Sequence, residues 1–212
     1  MARVIMVPGL AVQRYLQPAA DALQLAGHST GLYPPLGWPA VDTDLTSYGH
    51  RIAAETRRNG SVDLLIGMSV GTQGAVAAAL AGAAVGRVLL ISPTIAPPYR
   101  TVRASLSAWL GGEGHRDSPR LRVHTQDWIR AGLPAIYRSL RSAIDFRLEA
   151  ELPRVRQPIT IVHGDADRLS PLPFAADLAE RAEAELLIMP DAPHSWPVGD
   201  AARFVDLVAD LT

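Results

Sequence analysis

Five short, mainly apolar runs rich in β-branched residues, interrupted only by Asp63 and Thr160 and separated by stretches of helical spacing, constrain this chain more than anything else in it. The runs are Val4 to Val7, Val62 to Ile66, Val88 to Ile91, Ile159 to Val162 and Leu186 to Met189. A run without polar alternation suits a strand buried on both faces, and such strands belong to parallel sheets covered by helices. Between the runs, apolar residues recur with helical spacing over Tyr15 to Ala26, Leu45 to Arg58, Val70 to Ala84, Phe174 to Ala184 and Phe204 to Leu211, with Asp200 available to cap the last. A weaker strand at His28 to Tyr33 fills the expected place between the first two helices. The pattern predicts an α/β fold: an open, doubly wound, mostly parallel sheet of about six strands with helices on both faces. At 212 residues, and with roughly 100 to 200 residues per domain, the chain reads as a single domain, 1–212.

One segment breaks the alternation. From Ile95 to Arg156 no convincing strand occurs, while Gly111-Gly112, several prolines and helical stretches at Val102 to Leu110, Asp127 to Ala131 and Ile136 to Ala150 do. This predicts a helical lid or cap, 95–156, inserted into the domain. Residues 97–156 hold 11 Arg against 6 Asp+Glu, so the segment is about +5 and the rest of the chain −6. A solvated helical surface explains that charge; a lid whose arginines meet an anionic substrate also does. Within it, Tyr99, Trp109, Trp128, Ile129 and Tyr137 either line a pocket or pack the lid onto the body.

Composition removes several function classes. With no cysteine there is no disulfide, thiolate metal site, iron–sulfur cluster or cysteine nucleophile. A formal net charge of −1 offers no field for gripping nucleic acid or an anionic membrane. No apolar stretch approaches the roughly 18 residues of a membrane span. The opening apolar run is broken by Pro8-Gly9 after four residues, which fits a strand and turn better than a signal peptide. A cytoplasmic protein is expected.

The chemistry-bearing motif follows the second strong strand. Gly67-Met68-Ser69-Val70-Gly71 sits between Val62 to Ile66 and a helix rich in small residues, which is G-x-S-x-G in strand–turn–helix context. A sharp turn there lifts the Ser69 hydroxyl above the sheet edge, and small residues two positions either side let neighbouring backbone approach. A serine hydroxyl is a weak nucleophile at neutral pH, so it needs a base, and the base needs an orienting carboxylate. Downstream, His163-Gly164-Asp165-Ala166-Asp167 follows one strand and Asp191-Ala192-Pro193-His194 follows another. Both lie at carboxyl ends of strands, where ligands gather in open α/β sheets, so Ser69, an aspartate at 165 or 167 and His194 can converge.

In these motifs and in their order of Ser, Asp, His, the chain resembles the α/β-hydrolase superfamily over nearly all its length outside the insertion. The family's acid strand ends H-G-x-x-D with a proline soon after; the matching residues are His163, Gly164, Asp167 and Pro171, so the resemblance favours Asp167 over Asp165. It implies His194 as base, without the glycines that usually precede it. It implies an oxyanion hole from the backbone amides of Leu10, in Pro8-Gly9-Leu10, and of Val70. The family's second-strand loop is replaced by Tyr33-Pro34-Pro35-Leu36-Gly37-Trp38-Pro39, and the pattern opens on the strand at Val4 where larger relatives first have an antiparallel hairpin. Substrate-pocket candidates are Trp38, Trp109, Trp128 and Tyr137.

The function expected from the resemblance is a cofactor-free serine hydrolase acting on a small-molecule carboxylic ester or thioester. Relatives that are lyases, acyltransferases or perhydrolases use the same residues, and a non-catalytic binding protein is a third class. His163 reads as structural, while His28, His50, His115 and His124 have no ligand spacing, and no H-E-x-x-H or G-x-G-x-x-G occurs.

Overall fold

The computed structural model describes residues 1–112 and 121–212. Of the sequence expectations, His115 and part of the inserted segment lie outside the described residues. Strands β1 (Arg3–Val7), β2 (Ser29–Leu32), β3 (Val62–Met68), β4 (Val85–Ile91), β5 (Ile159–Gly164) and β6 (Glu185–Met189) form one sheet, in the order β2-β1-β3-β4-β5-β6. Every neighbouring pair is parallel. The chain winds outward from β1 to β2 in one direction and from β3 to β6 in the other, which places a topological switch between β1 and β3. Crevices open at such switches, beyond the carboxyl ends of the strands.

Alternation within the strands sorts the core into two layers. Ile5, Val7, Leu65, Val88, Leu90 and Ile161 point to the layer under α2 (Leu45–Arg58), α3 (Gly71–Leu80) and α8 (Leu172–Arg181). Val4, Met6, Leu64, Ile66, Leu89 and Ile91 point to the layer under α1 (Gln17–Leu25) and a C-terminal helix, Ala201–Leu211. β2 is the weak strand because it is an edge: its side chains alternate between exposed and half-buried, with none fully buried. α3 is buried on nearly all sides, from Gly71 to Ala79. Its small residues permit this: a Cβ on Gly49 of α2 would stand 2.5 Å from the Ala77 carbonyl carbon.

Caps fix the helix starts. Asp44 accepts from the Ser47 amide at 2.8 Å at the head of α2, and Asp200 from the Arg203 amide at 3.1 Å at the head of the C-terminal helix. Between β4 and β5 the chain forms α4 (Val102–Gly112), α5 (Leu121–Ala131), α6 (Leu133–Asp145) and the single turn α7 (Leu148–Glu151). The helix expected over Ile136 to Ala150 is therefore two, because Phe146 is extended at φ −77° and ψ 113°. The helix expected from Asp127 starts six residues earlier, at Leu121. A short α9 (Trp196–Gly199) precedes the last helix, α10 (Ala201–Leu211).

Candidate active site

Ser69 occupies the tight turn from β3 into α3. Its φ of +56° lies in the left-handed region that side chains avoid, so the turn is held by its surroundings. The Ser69 amide donates to the Ile91 carbonyl oxygen of β4 at 3.0 Å, and the Thr72 amide and hydroxyl donate to the Ser69 carbonyl oxygen at 3.0 and 2.6 Å. The flanking glycines serve close approach. A Cβ on Gly67 would lie 2.5 Å from the Gly71 carbonyl oxygen, and one on Gly71 would lie 2.6 Å from the Pro8 carbonyl oxygen and collide with that of Val7. Met68 is simply core, packed in the layer under α1 and α10.

After β5, Asp167 folds back so that its carboxylate is entirely enclosed. Oδ1 accepts from the Leu169 and Ser170 amides at 2.8 and 2.9 Å, and Oδ2 accepts from His194 Nδ1 at 2.8 Å. Burial alone would raise the Asp167 pKa, but the attraction and hydrogen bond of His194 and the bond from the Ser170 amide outweigh it and hold the carboxyl below its ordinary value. Asp165, by contrast, is exposed and only its amide is engaged, donating to the Met189 carbonyl oxygen at 3.1 Å. The turn geometry therefore brings Asp167, and not Asp165, to His194.

His194 follows β6 and is 8% exposed. The Ser92 hydroxyl donates to its carbonyl oxygen at 3.1 Å, and the Ala166 amide donates to the Ala192 carbonyl oxygen at 3.1 Å, so the loop is tied to both β4 and β5. With Nδ1 on Asp167, Nε2 is buried and makes no hydrogen bond among the described residues. His163 faces the acid turn: its Nε2 lies 3.1 Å from the Ser170 carbonyl oxygen and 3.9 Å from Asp167 Oδ2. Burial pushes its imidazole pKa down against the opposing pull of Asp167, and its Nε2 holds the turn by donating to that carbonyl.

Ser69, His194, Gly9, Leu10 and Val70 all line one cavity of about 340 Å³. The Gly9 amide donates to the Tyr15 hydroxyl at 3.2 Å, whereas among the described residues neither the Leu10 nor the Val70 amide donates a hydrogen bond. Val70 stands at the head of α3, where helix amides carry partial positive charge. The far wall comes from α4, α5 and α6, including Leu106, Trp109, Trp128, Leu133 and Ile136. No arginine lines the cavity among the described residues. Arg100 instead pairs with Glu149, and the Arg130 guanidinium lies 4.1 Å above the Trp38 ring.

Of the aromatic pocket candidates, Trp109 and Trp128 line the cavity and Trp38 and Tyr137 do not. Trp38 is used structurally: its indole N–H donates to the Ala11 carbonyl oxygen at 3.0 Å, tying the loop after β2 to the turn after β1. Tyr137 follows Ile136 on α6 and, turned by the helical rotation of about 100° per residue, is 55% exposed. Sequence reasoning missed Tyr15, Thr94 and His124, all in the lining. Among the described residues no group of three or more His, Cys, Asp or Glu could hold a metal ion, and no helix is long and apolar enough to cross a membrane.

A family model described as the alpha/beta hydrolase family matches residues 4–207. No curated protein matches the chain in sequence. Among solved structures, an esterase from Exiguobacterium antarcticum is 20% identical with a TM-score of 0.78, covering 100% of this chain and 92% of that one. A hydrolase from Pseudomonas aeruginosa is 16% identical with a TM-score of 0.79, covering 99% and 89%. An enol-lactonase from Burkholderia xenovorans is 18% identical with a TM-score of 0.76, covering 100% and 91%. At such identities these likenesses speak for the fold alone.

Proposed function

The chain belongs to the alpha/beta hydrolase family, and from that premise we propose that it is a serine hydrolase that cleaves a small carboxylic ester or thioester through an acyl-enzyme. One observation carries the reading: His194 Nδ1 is held by Asp167 at 2.8 Å, while its Nε2 is left without a partner in the cavity that Ser69 also lines.

Ser69 Oγ attacks the substrate carbonyl carbon as its proton passes to His194 Nε2. Asp167 keeps the proton on Nδ1 and stabilises the imidazolium that forms. The carbonyl oxygen becomes an oxyanion facing the Leu10 and Val70 amides. Collapse of the tetrahedral adduct breaks the bond to the leaving oxygen or sulfur, which takes the proton from Nε2, and the acyl group remains on Ser69. Water then gives one proton to Nε2, attacks the acyl carbon, and releases the carboxylic acid as the proton returns to Ser69. In this reading α4 to α6 act as the lid.

The test is intact-mass spectrometry after a fluorophosphonate probe, on wild type, Ser69→Ala and His194→Ala, followed by an ester and thioester panel. A single adduct on wild type, absent from both variants, and turnover lost in both is the expected result. A folded wild type that takes no adduct, or a Ser69→Ala variant with comparable turnover, refutes the mechanism.

A further inference from the structure

Three residues in the cavity lining carry a buried side-chain nitrogen or oxygen with no hydrogen-bond partner among the described residues: His194 Nε2, Thr94 Oγ1 and His124 Nδ1. Buried polar groups are almost always paired, so orphans on residues that line a cavity make a bound molecule a candidate partner once a side chain turns towards it. His194 Nε2 is explained by proton transfer. Thr94 follows Ser92 and Pro93, whose atoms bond His194 and Ser170, and so belongs to the chemical end of the cavity. His124 does neither.

His124 sits on α5 in the wall opposite and is 5% exposed. Its ring is stacked on Trp128, with centroids 5.4 Å apart and planes 20° from parallel, and meets Trp109 edge-on at 6.4 Å and Tyr15 at 5.7 Å. Packing on three sides fixes the ring and the direction of its nitrogens. Burial lowers its pKa; the nearby Asp127 opposes this. Asp127 is itself occupied, accepting from the Gln13 and Arg14 amides at 2.8 and 3.0 Å and pairing with Arg14 Nε at 3.1 Å. Burial that disfavours a charged imidazole disfavours a charged partner as well, so the ring suits an uncharged donor or acceptor.

We propose that His124 is a specificity-determining residue that hydrogen-bonds a neutral polar group, a hydroxyl, ketone or amide, on the part of the substrate seated against Trp109 and Trp128. This rests on reading the cavity as the acyl site. The substrate class that follows is an ester whose acyl group is largely apolar and carries one uncharged hydrogen-bonding substituent remote from the carbonyl.

Two matched pairs test it: methyl phenylacetate with methyl 4-hydroxyphenylacetate, and methyl hexanoate with methyl 6-hydroxyhexanoate. The small methanol portion leaves only the acyl group to fill the cavity. Calorimetric titration of Ser69→Ala reads binding without turnover. At least one hydroxylated ester should bind on the order of tenfold more tightly than its partner, the effect of pairing one buried orphan. In Ser69→Ala/His124→Phe, which keeps a ring on Trp128, that ratio should fall towards one. In Ser69→Ala/His124→Asn, which keeps a hydrogen-bonding side chain, it should stay above one. A ratio of one in both pairs, a ratio indifferent to His124→Phe, or no binding by any of the four esters overturns the proposal. The fluorophosphonate adduct on Ser69 is read separately. An adduct with a ratio of one sinks this inference alone, and a His124-dependent ratio without an adduct sinks the nucleophile alone.

Discussion

Replacing Gly71 by alanine would add one methyl group where β1, the Ser69 turn and α3 meet. The new Cβ would stand 2.6 Å from the Pro8 carbonyl oxygen and 2.8 Å from the Val7 carbonyl carbon, against 3.4 Å for ordinary contact. Relief at Pro8 alone requires a displacement of about 0.8 Å, the difference of those distances, and the Val7 oxygen demands more. All the atoms concerned are backbone, so no side chain can swing aside. Whichever side yields, an amide proposed for the oxyanion hole moves: Leu10 lies two residues beyond Pro8, and Val70 precedes Gly71. Overpacking of this kind costs about 1–3 kcal/mol of stability, or a fall in Tm of roughly 2–4 °C per kcal/mol in a domain of this size. Misplacement approaching 1 Å of a transition-state donor costs about 100-fold in kcat. The assay is ester turnover, the rate of fluorophosphonate labelling and thermal unfolding by circular dichroism, with Gly31→Ala as control, since a Cβ there meets nothing within 4 Å. Wild-type kcat and labelling rate in a folded Gly71→Ala protein would refute the argument that contact at this turn sets the oxyanion geometry.

Two further outcomes follow from buried groups. His124 and His163 have pKa values held below the ordinary 6.5, so the unfolded chain binds protons that the fold does not. Their contribution to stability is complete above that value and is lost as pH falls through the lower folded values. The depressed carboxyl of Asp167 adds a second loss, at pH below the ordinary 3.8. The urea midpoint should therefore decline as pH drops below neutrality; a midpoint that stays level into the range below pH 5 contradicts the burial argument. Asp127→Ala removes the acceptor for the Gln13 and Arg14 amides and the partner of Arg14, unpinning α5 from the turn after β1. A loss of about 2 kcal/mol is expected, read as a lower Tm together with a raised KM; unchanged values of both would show that α5 is held by its apolar face alone.

The sheet was legible because its central strands β1, β3, β4 and β5 share one signal, a mainly apolar run buried on both faces, while the edge strand β2, with Ser29, Thr30 and Gly31, carries it only weakly. The turn at Ser69 was legible for a related reason: close backbone approach excludes any side chain at Gly67 and Gly71, so the constraint is written in residue type. The choice between Asp165 and Asp167 was not legible from the residues themselves, because it depends on how the chain folds back after β5 until the Leu169 and Ser170 amides meet one carboxylate oxygen. The cavity wall was the least legible part. Trp38 and Tyr137 have the composition of pocket residues, but one found a carbonyl partner across the sheet edge and the other lies on the outer side of α6. His124 did leave a trace: once α5 is drawn from Leu121, it stands four residues before Trp128 on the same helical face.

The segment bearing that wall leaves the sheet at the end of β4 and re-enters at β5, and these strands are direct neighbours, with Val88 beside Ile159 and Ile91 beside Val162. Its two ends are thus held at a fixed, short separation by backbone pairing that owes nothing to what lies between them. The cost of closing a loop rises only slowly with its length, so helices can be lengthened, shortened or exchanged there with little penalty to the frame. Ser69, Asp167, His194 and the Leu10 turn all lie outside the segment, provided that Ser92 and Pro93, which bond His194 and Ser170, stay with β4. Selectivity and reactivity thus occupy separable stretches of the chain, and a relative's segment grafted between Pro93 and Ile159 would recast what the site accepts while keeping the contacts that hold the His194 loop and the acid turn.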